Sequence, residues 1–317
     1  MDAPKPRVNI GVPVYNAEQF IEESLDALLA QTFTDFELII CDNASTDRTQ
    51  EICLAYAAKD RRVRYHRNLE NIGAAGNFNK VFKLSDSEYF KWASYDDLCA
   101  PTFLERCVEV LDREPSVVLC HPKANNIDET GKPIKIYESG DLNLRFAKPY
   151  ERLSKFFEIN GWHHPNQWYG LIRTSALKVT PLHGNYDTSD RVFLAGLVLL
   201  GEFYELPECL FSRRVHKKNP TNLSQEDLAA WFDPKNLGKI TFPMWRRYFE
   251  YCKTILKAPI PWDEKVRCYG EILRLALLSA KSRERLGSLV EDVTKASRNL
   301  LGRFYLRMKE SRSDTKL

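Results

Sequence analysis

The sequence predicts an α/β protein built on a mostly parallel sheet with helices on both faces, followed by a C-terminal helical region. Three observations predict it. Strand-like apolar runs alternate with helix-periodic stretches from Val8 to Cys120, in the order β-α-β-α-β-α-β-α-β. Phe36-Glu-Leu-Ile-Ile-Cys41 is almost continuously apolar, as a strand covered on both faces must be. From about Gln225 onward only helical periodicity remains.

In order, Val8 to Val14 reads as a strand that closes near Pro13. Ala17 to Gln31 places Phe20, Ile21, Leu25, Leu28 and Leu29 on one helical face. After the Phe36–Cys41 strand, Asp42 to Asp47 is polar and turn-prone. Ser45 is the expected N-cap of a helix from Thr46 to Ala58. Val63 to His66 is a third strand, Glu70 to Asn79 opens a third helix, and Tyr89 to Trp92 is a fourth strand. Pro101 to Asp112 is a fourth helix and Val117 to Cys120 a fifth strand. Beyond Pro122 the alternation fails. A hairpin is expected about Thr130-Gly131, a mobile loop over Leu142 to Tyr150, and a helix over Tyr150 to Ile159. Gln167 to Arg173 and Glu208 to Val215 read as strands, and Asp190 to Leu200 as an apolar helix. Helices are expected over Gln225–Phe232, Phe242–Leu256, Asp263–Ala280 and Ser282–Lys309. A soft boundary near residue 222 divides the chain into 1–222 and 223–317.

Composition narrows the function classes. The chain has 317 residues, 44% hydrophobic and 28% charged, an ordinary globular balance with enough apolar residues for a large core. A formal net charge of +3 offers no electrostatic case for a nucleic-acid partner. The eight cysteines form no C-x-x-C pair, and several sit inside apolar runs, which suits reduced core cysteines. Met1 to Arg7 has no apolar signal core, and Val192 to Leu200 falls far short of the ~20 residues a membrane span needs. The expectation is a cytoplasmic protein.

The chemistry gathers at strand ends. In Tyr89-Phe-Lys-Trp-Ala-Ser-Tyr-Asp-Asp97 a short apolar strand delivers Asp96 and Asp97 to the carboxyl edge of the sheet, where ligands bind in open α/β folds. Adjacent carboxylates repel unless a positive charge lies near. A divalent cation is one answer; a helix cap beside a solvated acid is the other.

Four segments occupy successive strand ends: Val12-Pro-Val-Tyr-Asn16, Ile40-Cys-Asp-Asn-Ala-Ser-Thr-Asp47, Asn71-Ile-Gly-Ala-Ala-Gly-Asn-Phe-Asn79 and Ser94-Tyr-Asp-Asp97. In order and spacing they resemble the motifs of the family 2 glycosyltransferases, inverting enzymes of GT-A fold that use nucleotide-sugar donors. The resemblance covers about residues 7–220. It implies a donor site made of Pro13, Tyr15, Asn16, Asp42, Asn43, Asn71, Gly73, Asn77, Asp96, Asp97 and Arg213. Tyr15 would lie against the base, and Asp42 and Asn43 would bond the base or ribose. Asn43 stands where the family commonly has a second acid, and Ser94 where it has the first acid of its D-x-D motif.

The resemblance implies a divalent metal, Mn²⁺ or Mg²⁺, held by Asp96 and a late histidine, for which His216 is the natural candidate. It implies Asp190 as the catalytic base, with Asp187 in reserve. Trp162, His163, His164 and Trp168 are acceptor-side candidates. Arg213, Arg214, Lys217 and Lys218 form a basic run that can meet phosphate, though most of such a run is usually a solvated face. The expected partners are a UDP-, GDP- or dTDP-type donor and a glycan, lipid-linked, protein or small-molecule acceptor. A nucleotidyltransferase and a non-catalytic sugar-nucleotide scaffold are the alternatives. The Leu- and Lys/Arg-bearing tail from Ser282 reads as a helix for packing, for a homo-oligomer contact, or for the cytoplasmic membrane surface.

Overall fold

The computed structural model describes residues 5–136, 142–159, 166–217, 219–239 and 242–277, with Val290 and Thr294 besides. The first half runs β1 (Val8–Val14), α1 (Ile21–Leu29), β2 (Phe36–Asp42), α2 (Thr49–Lys59), β3 (Val63–Arg67), α3 (Gly73–Lys83), β4 (Tyr89–Trp92), β5 (Leu98–Cys99) and α4 (Phe103–Arg113). Then follow β6 (Val117–Ile127), β7 (Pro133–Ile136), α5 (Pro149–Ile159), β8 (Leu171–Arg173), α6 (Thr174–Leu177), α7 (Ser189–Leu200) and β9 (Glu202–Arg214). The chain continues through α8 (Gln225–Phe232), α9 (Pro243–Lys257) and α10 (Trp262–Leu277).

The strands form one sheet in the order β3-β2-β1-β4-β8-β6-β9-β5, with β7 paired to β6. β3, β2, β1 and β4 pair in parallel, and β6 and β9 point the same way. β8 enters between β4 and β6 in the opposite direction. The side-chain period of two divides the interior into two cores. Leu38, Ile40 and Tyr89 pack with Leu25, Cys53 and Phe103 of α1, α2 and α4. Ile39, Phe90 and Trp92 face the other way, onto Val81 of α3, Phe156 of α5 and Phe193 of α7. Helix α7, apolar nearly all round, is buried as such helices must be. Tyr251 and Ile255 of α9 and Cys268 and Ile272 of α10 join this second core.

At Gly11 of β1, side chains of β4 and α3 press close on the backbone. A Cβ there would sit 2.6 Å from Phe90 Cζ and 2.9 Å from Val81 Cγ1. Gly11→Ala is therefore expected to destabilise the fold by about 1–3 kcal/mol through overpacking. A urea titration checks it, and an unchanged midpoint would show that α3 yields there.

Three local expectations are corrected. Ser45 is no N-cap: α2 begins at Thr49, and Ser45 Oγ instead accepts from Asn16 N–H at 3.0 Å. The expected strand over Gln167 to Arg173 divides into a 3₁₀ turn, Asn166–Tyr169, and β8. The break falls at Gly170, where a Cβ would lie 2.6 Å from the Cys120 carbonyl oxygen. The stretch after residue 141 is packed rather than loose. Leu142 and Leu144 are buried, and Leu144 exchanges backbone hydrogen bonds with Phe203 at 3.1 and 3.3 Å. Arg152 fastens the chain beyond, donating to Phe146 O at 2.7 Å and to Val198 O at 2.7 Å. The expected helix over Ser282–Lys309 lies outside the described residues apart from Val290 and Thr294. Among the described residues no helix is long and apolar enough to cross a membrane.

Candidate active site

A cavity of about 360 Å³ opens at the carboxyl ends of β1, β2 and β4. That volume is in the range of small-molecule sites. Pro13, Tyr15, Asn43, Asn71, Asn77, Asp96, Asp97, Trp168, Asp190 and Arg213, all singled out in the sequence, line it together. Asn16 and His216 face an adjoining space of about 530 Å³, which shares Tyr95 with the first. Asp42, Gly73 and Asp187 are on neither wall. Trp162, His163 and His164 lie outside the described residues.

One end of the cavity is acidic. After β4 the chain turns through Ser94 to Asp97 into β5, whose antiparallel pairing with β9 brings the end of β9 alongside. Asp96 Oδ2 then lies 2.8 Å from His216 Nε2, and its other oxygen accepts from the Ser94 hydroxyl. Asp97 Oδ1 accepts Arg214 N–H at 2.8 Å. Burial, and next the neighbouring Asp96, pushes the Asp97 carboxyl well above its ordinary value. Arg214 is no solvated member of a basic run. Its guanidinium is 1% exposed, donates to the Asp96 carbonyl at 2.8 Å and to Glu23 at 2.6 Å, and lies 4.9 Å over the Phe20 ring. The His216 ring packs on the same Phe20, and His216 N–H donates to Asn219 Oδ1 at 2.6 Å. His216 and Asp96 are thus held face to face by their surroundings. An imidazole nitrogen beside a carboxylate oxygen suits a Mn²⁺-like cation. No group of three or more His, Cys, Asp or Glu side chains forms a closed metal centre among the described residues, so a cation here would need ligands from a bound molecule.

The other end is built of amides. Asn43 N–H donates to Val14 O at 2.8 Å, which sets the end of β2 beside Tyr15. Asn43 Nδ2 donates to Asn71 Oδ1 at 2.8 Å and to Gly73 O at 3.3 Å, while its oxygen accepts from Asn68 Nδ2 and Ile72 N–H. Asn77 donates to Cys41 O at 2.7 Å and also accepts from Asn68. Asn68, which no sequence motif marks, is the buried hub of this network. Asp42 lies beneath it, fully buried, bonded to Tyr65 at 2.7 Å, to Arg67 and to Ser45 N–H. These bonds hold the turn that follows β2.

The remaining walls come from the 3₁₀ turn, α7 and α8. Lys91, buried under Asp97, donates to Tyr169 O and lies 4.2 Å from the Phe103 ring centre, which fixes the turn that presents Trp168. Trp168 packs in tilted and edge-on contacts with Tyr169, His183 and Phe78, ring centres 4.2, 4.9 and 5.0 Å away, and still reaches the cavity. α7 starts after Thr188, whose φ is +67°, with Asp190 in its first turn. Asp190 Oδ1 accepts its neighbour's Arg191 N–H at 2.8 Å. Burial raises its carboxyl above the ordinary value; Arg191 opposes the shift and Asp187 adds to it. Ala230 and Trp231 of α8 complete the wall, so the cavity draws on residues from both sides of position 222. Trp231 was not foreseen, because nothing in an eight-residue amphipathic helix announces where it docks.

The profile of Glycosyl transferase family 2 matches residues 9–180. An uncharacterized glycosyltransferase of Haemophilus influenzae is 30% identical over 240 residues, 73% of each chain. One of Rickettsia typhi is 31% identical over 153 residues, 47% of this chain. The chain spans 43% of that relative's length and 58% of a similar protein from Methanocaldococcus jannaschii. Among solved structures, S. aureus TarS 1-349 in complex with UDP-GlcNAc superposes with a TM-score of 0.65 at 17% identity, over 92% of this chain and 81% of that one. The mannosyltransferase PcManGT from Pyrobaculum calidifontis, in complex with GDP-Man and Mn²⁺, gives 0.53 at 19% identity, over 99% and 84%.

Proposed function

The chain belongs to glycosyl transferase family 2, and from that premise we propose that it moves a sugar from a nucleotide-diphosphate donor to an acceptor hydroxyl with inversion. One observation carries the reading: the desolvated carboxylate of Asp190 opens on the same cavity as the Asp96 site and the amide end. Bound nucleotide sugars in the TarS and PcManGT structures support the donor class.

The amide end and Tyr15 take the nucleoside, and the diphosphate points to Asp96. Asp190 accepts the proton of an acceptor hydroxyl on the carboxylate that faces the cavity. The acceptor oxygen forms its bond to the anomeric carbon as the bond to the diphosphate oxygen breaks on the opposite face. The electron pair leaves with the nucleotide. Asp96 and His216 would hold a divalent ion, Mn²⁺ or Mg²⁺, with Arg213 beside them. Such an ion, when bound, supplies charge neutralisation to the leaving diphosphate. Trp168 offers an aromatic face to the acceptor.

Thermal shift with UDP, GDP, dTDP and CDP, each with and without Mn²⁺, tests this. A nucleotide at ~100 times its dissociation constant adds ~2.7 kcal/mol to the folded state. One nucleotide is expected to raise the midpoint, and more with Mn²⁺. No shift under any condition would sink the reading.

A further inference from the structure

The amide end holds a contradiction with the role that Asn43 was expected to play. Asn43 lines the cavity, yet its side chain is already satisfied. Both Nδ2 hydrogens go to Asn71 Oδ1 and Gly73 O, and the oxygen takes two N–H groups. An amide has two donors and one oxygen with two lone pairs, so nothing is left for a ligand. Asn77 is likewise bonded inward through both nitrogen and oxygen. Asn71 differs. Its oxygen accepts from Asn43 and from Gly73 N–H at 2.9 Å, but its Nδ2 donates to nothing among the described residues, and the residue is exposed.

Above Asn71 stands α8. Gly73, at φ +77°, abuts its carboxyl end so closely that a Cβ would lie 2.4 Å from Phe232 O. Asp233 accepts from Asn185 Nδ2 at 3.0 Å, and Asn236 donates to Asn185 O at 2.8 Å. The helix is therefore pinned to the start of α3 on one side and to the segment before Asp190 on the other. It buries none of its own residues, and its tryptophan, Trp231, lines the cavity at 37% exposure. Tyr15, 42% exposed, stands at the same end through the Asn43–Val14 bond.

We propose that this chain recognises its donor base with Trp231 of α8 as a stacking face and Asn71 Nδ2 as the polar contact, not with Asn43. An aromatic face accepts the π-surface of any base, and stacking of this kind is worth enough to measure on single substitution. The free amide N–H groups call for an acceptor on the base edge, such as the carbonyls of uracil, thymine, guanine or cytosine. This rests on the nucleotide-sugar reading above and assigns residues within it.

Calorimetry on the full chain tests it, with whichever of UDP, GDP or dTDP binds tightest, its nucleoside, and the matching nucleotide sugar. Trp231→Ala should weaken all three by about 10-fold or more, and Trp231→Phe should restore most of the loss. Asn71→Asp keeps an oxygen for Asn43 and Gly73 but removes the free donor. It should weaken nucleoside binding while circular dichroism and the thermal midpoint stay at parent values. Trp231→Ala within twofold of the parent, or a loss confined to the nucleotide sugar, overturns the assignment. Retained affinity in Asn71→Asp overturns its polar half. If the parent protein binds none of the nucleotides, the reading beneath fails instead.

Discussion

Asp190→Asn should lose transfer by about 10²–10⁴-fold while binding donor as the parent does. The amide keeps the shape and the Arg191 N–H contact but cannot take a proton. The fold should not suffer, and the sign can be worked out. Burial raises the Asp190 carboxyl above its unfolded value, with Asp187 adding and Arg191 opposing. A carboxylate raised in this way contributes stability below its unfolded pKa, and that contribution is lost as pH rises through the folded pKa. At neutral pH the ionised side chain is therefore a cost, and Asn removes it. The expected variant is inactive with a thermal midpoint equal to or above the parent's, a pattern typical of residues kept for chemistry at the expense of stability. The same shift places the acid limb of the parent's rate profile higher than an ordinary carboxylate would, since the base must be ionised to act. Near-normal turnover in the variant would remove Asp190 from the mechanism; a collapsed midpoint would make it structural.

The second large effect concerns Asp96. In Asp96→Ala the His216 imidazole and the Ser94 hydroxyl lose their common partner. Nucleoside diphosphate affinity measured with Mn²⁺ should fall by at least the 10–100-fold that loss of a mere supporting partner costs at a metal site. The diagnostic feature is the difference between Mn²⁺ and chelator. The parent should bind more tightly with the ion, and the variant should bind equally in both. Nucleoside affinity, which draws on the far end of the cavity, should be unchanged and so reports that the variant is folded. A variant that keeps the full Mn²⁺ increment would take Asp96 off the ligand set.

Much of this was readable from residue order because it is local. β4 falls on Tyr89–Trp92 as its apolar run predicts, and α8 falls on Gln225–Phe232. Strand ends carry ligands by the logic of the sheet, so ten of the singled-out residues meet in one cavity. What stayed hidden depends on partners far away in the chain. Arg214 and Glu23 are 191 positions apart, and no periodicity relates them. Arg213 and Arg214 read as a basic run, and both reach the cavity wall, but only Arg214 is buried in a clamp between Glu23 and the Asp96 carbonyl. The reversed strand β8 is three residues long, too short for a pattern to betray its direction. Asn68 follows β3 outside every motif, and its importance comes from what two other segments, the end of β2 and α3, bring to it.

The amide network has a consequence of a different kind. Asn43, Asn68, Asn71 and Asn77 carry no ionisable group of their own, so their mutual bonds do not titrate, and the charges that touch the network, Lys80 on Asn68 and Arg67 on the Asp42 beneath, sit at its margin. The opposite end carries carboxylates, and burial beside Asp96 holds the Asp97 carboxyl well above its ordinary value. On the nucleotide-sugar reading, acidification should therefore cost transfer more than it costs nucleoside binding, and the protein would stay loaded while idle.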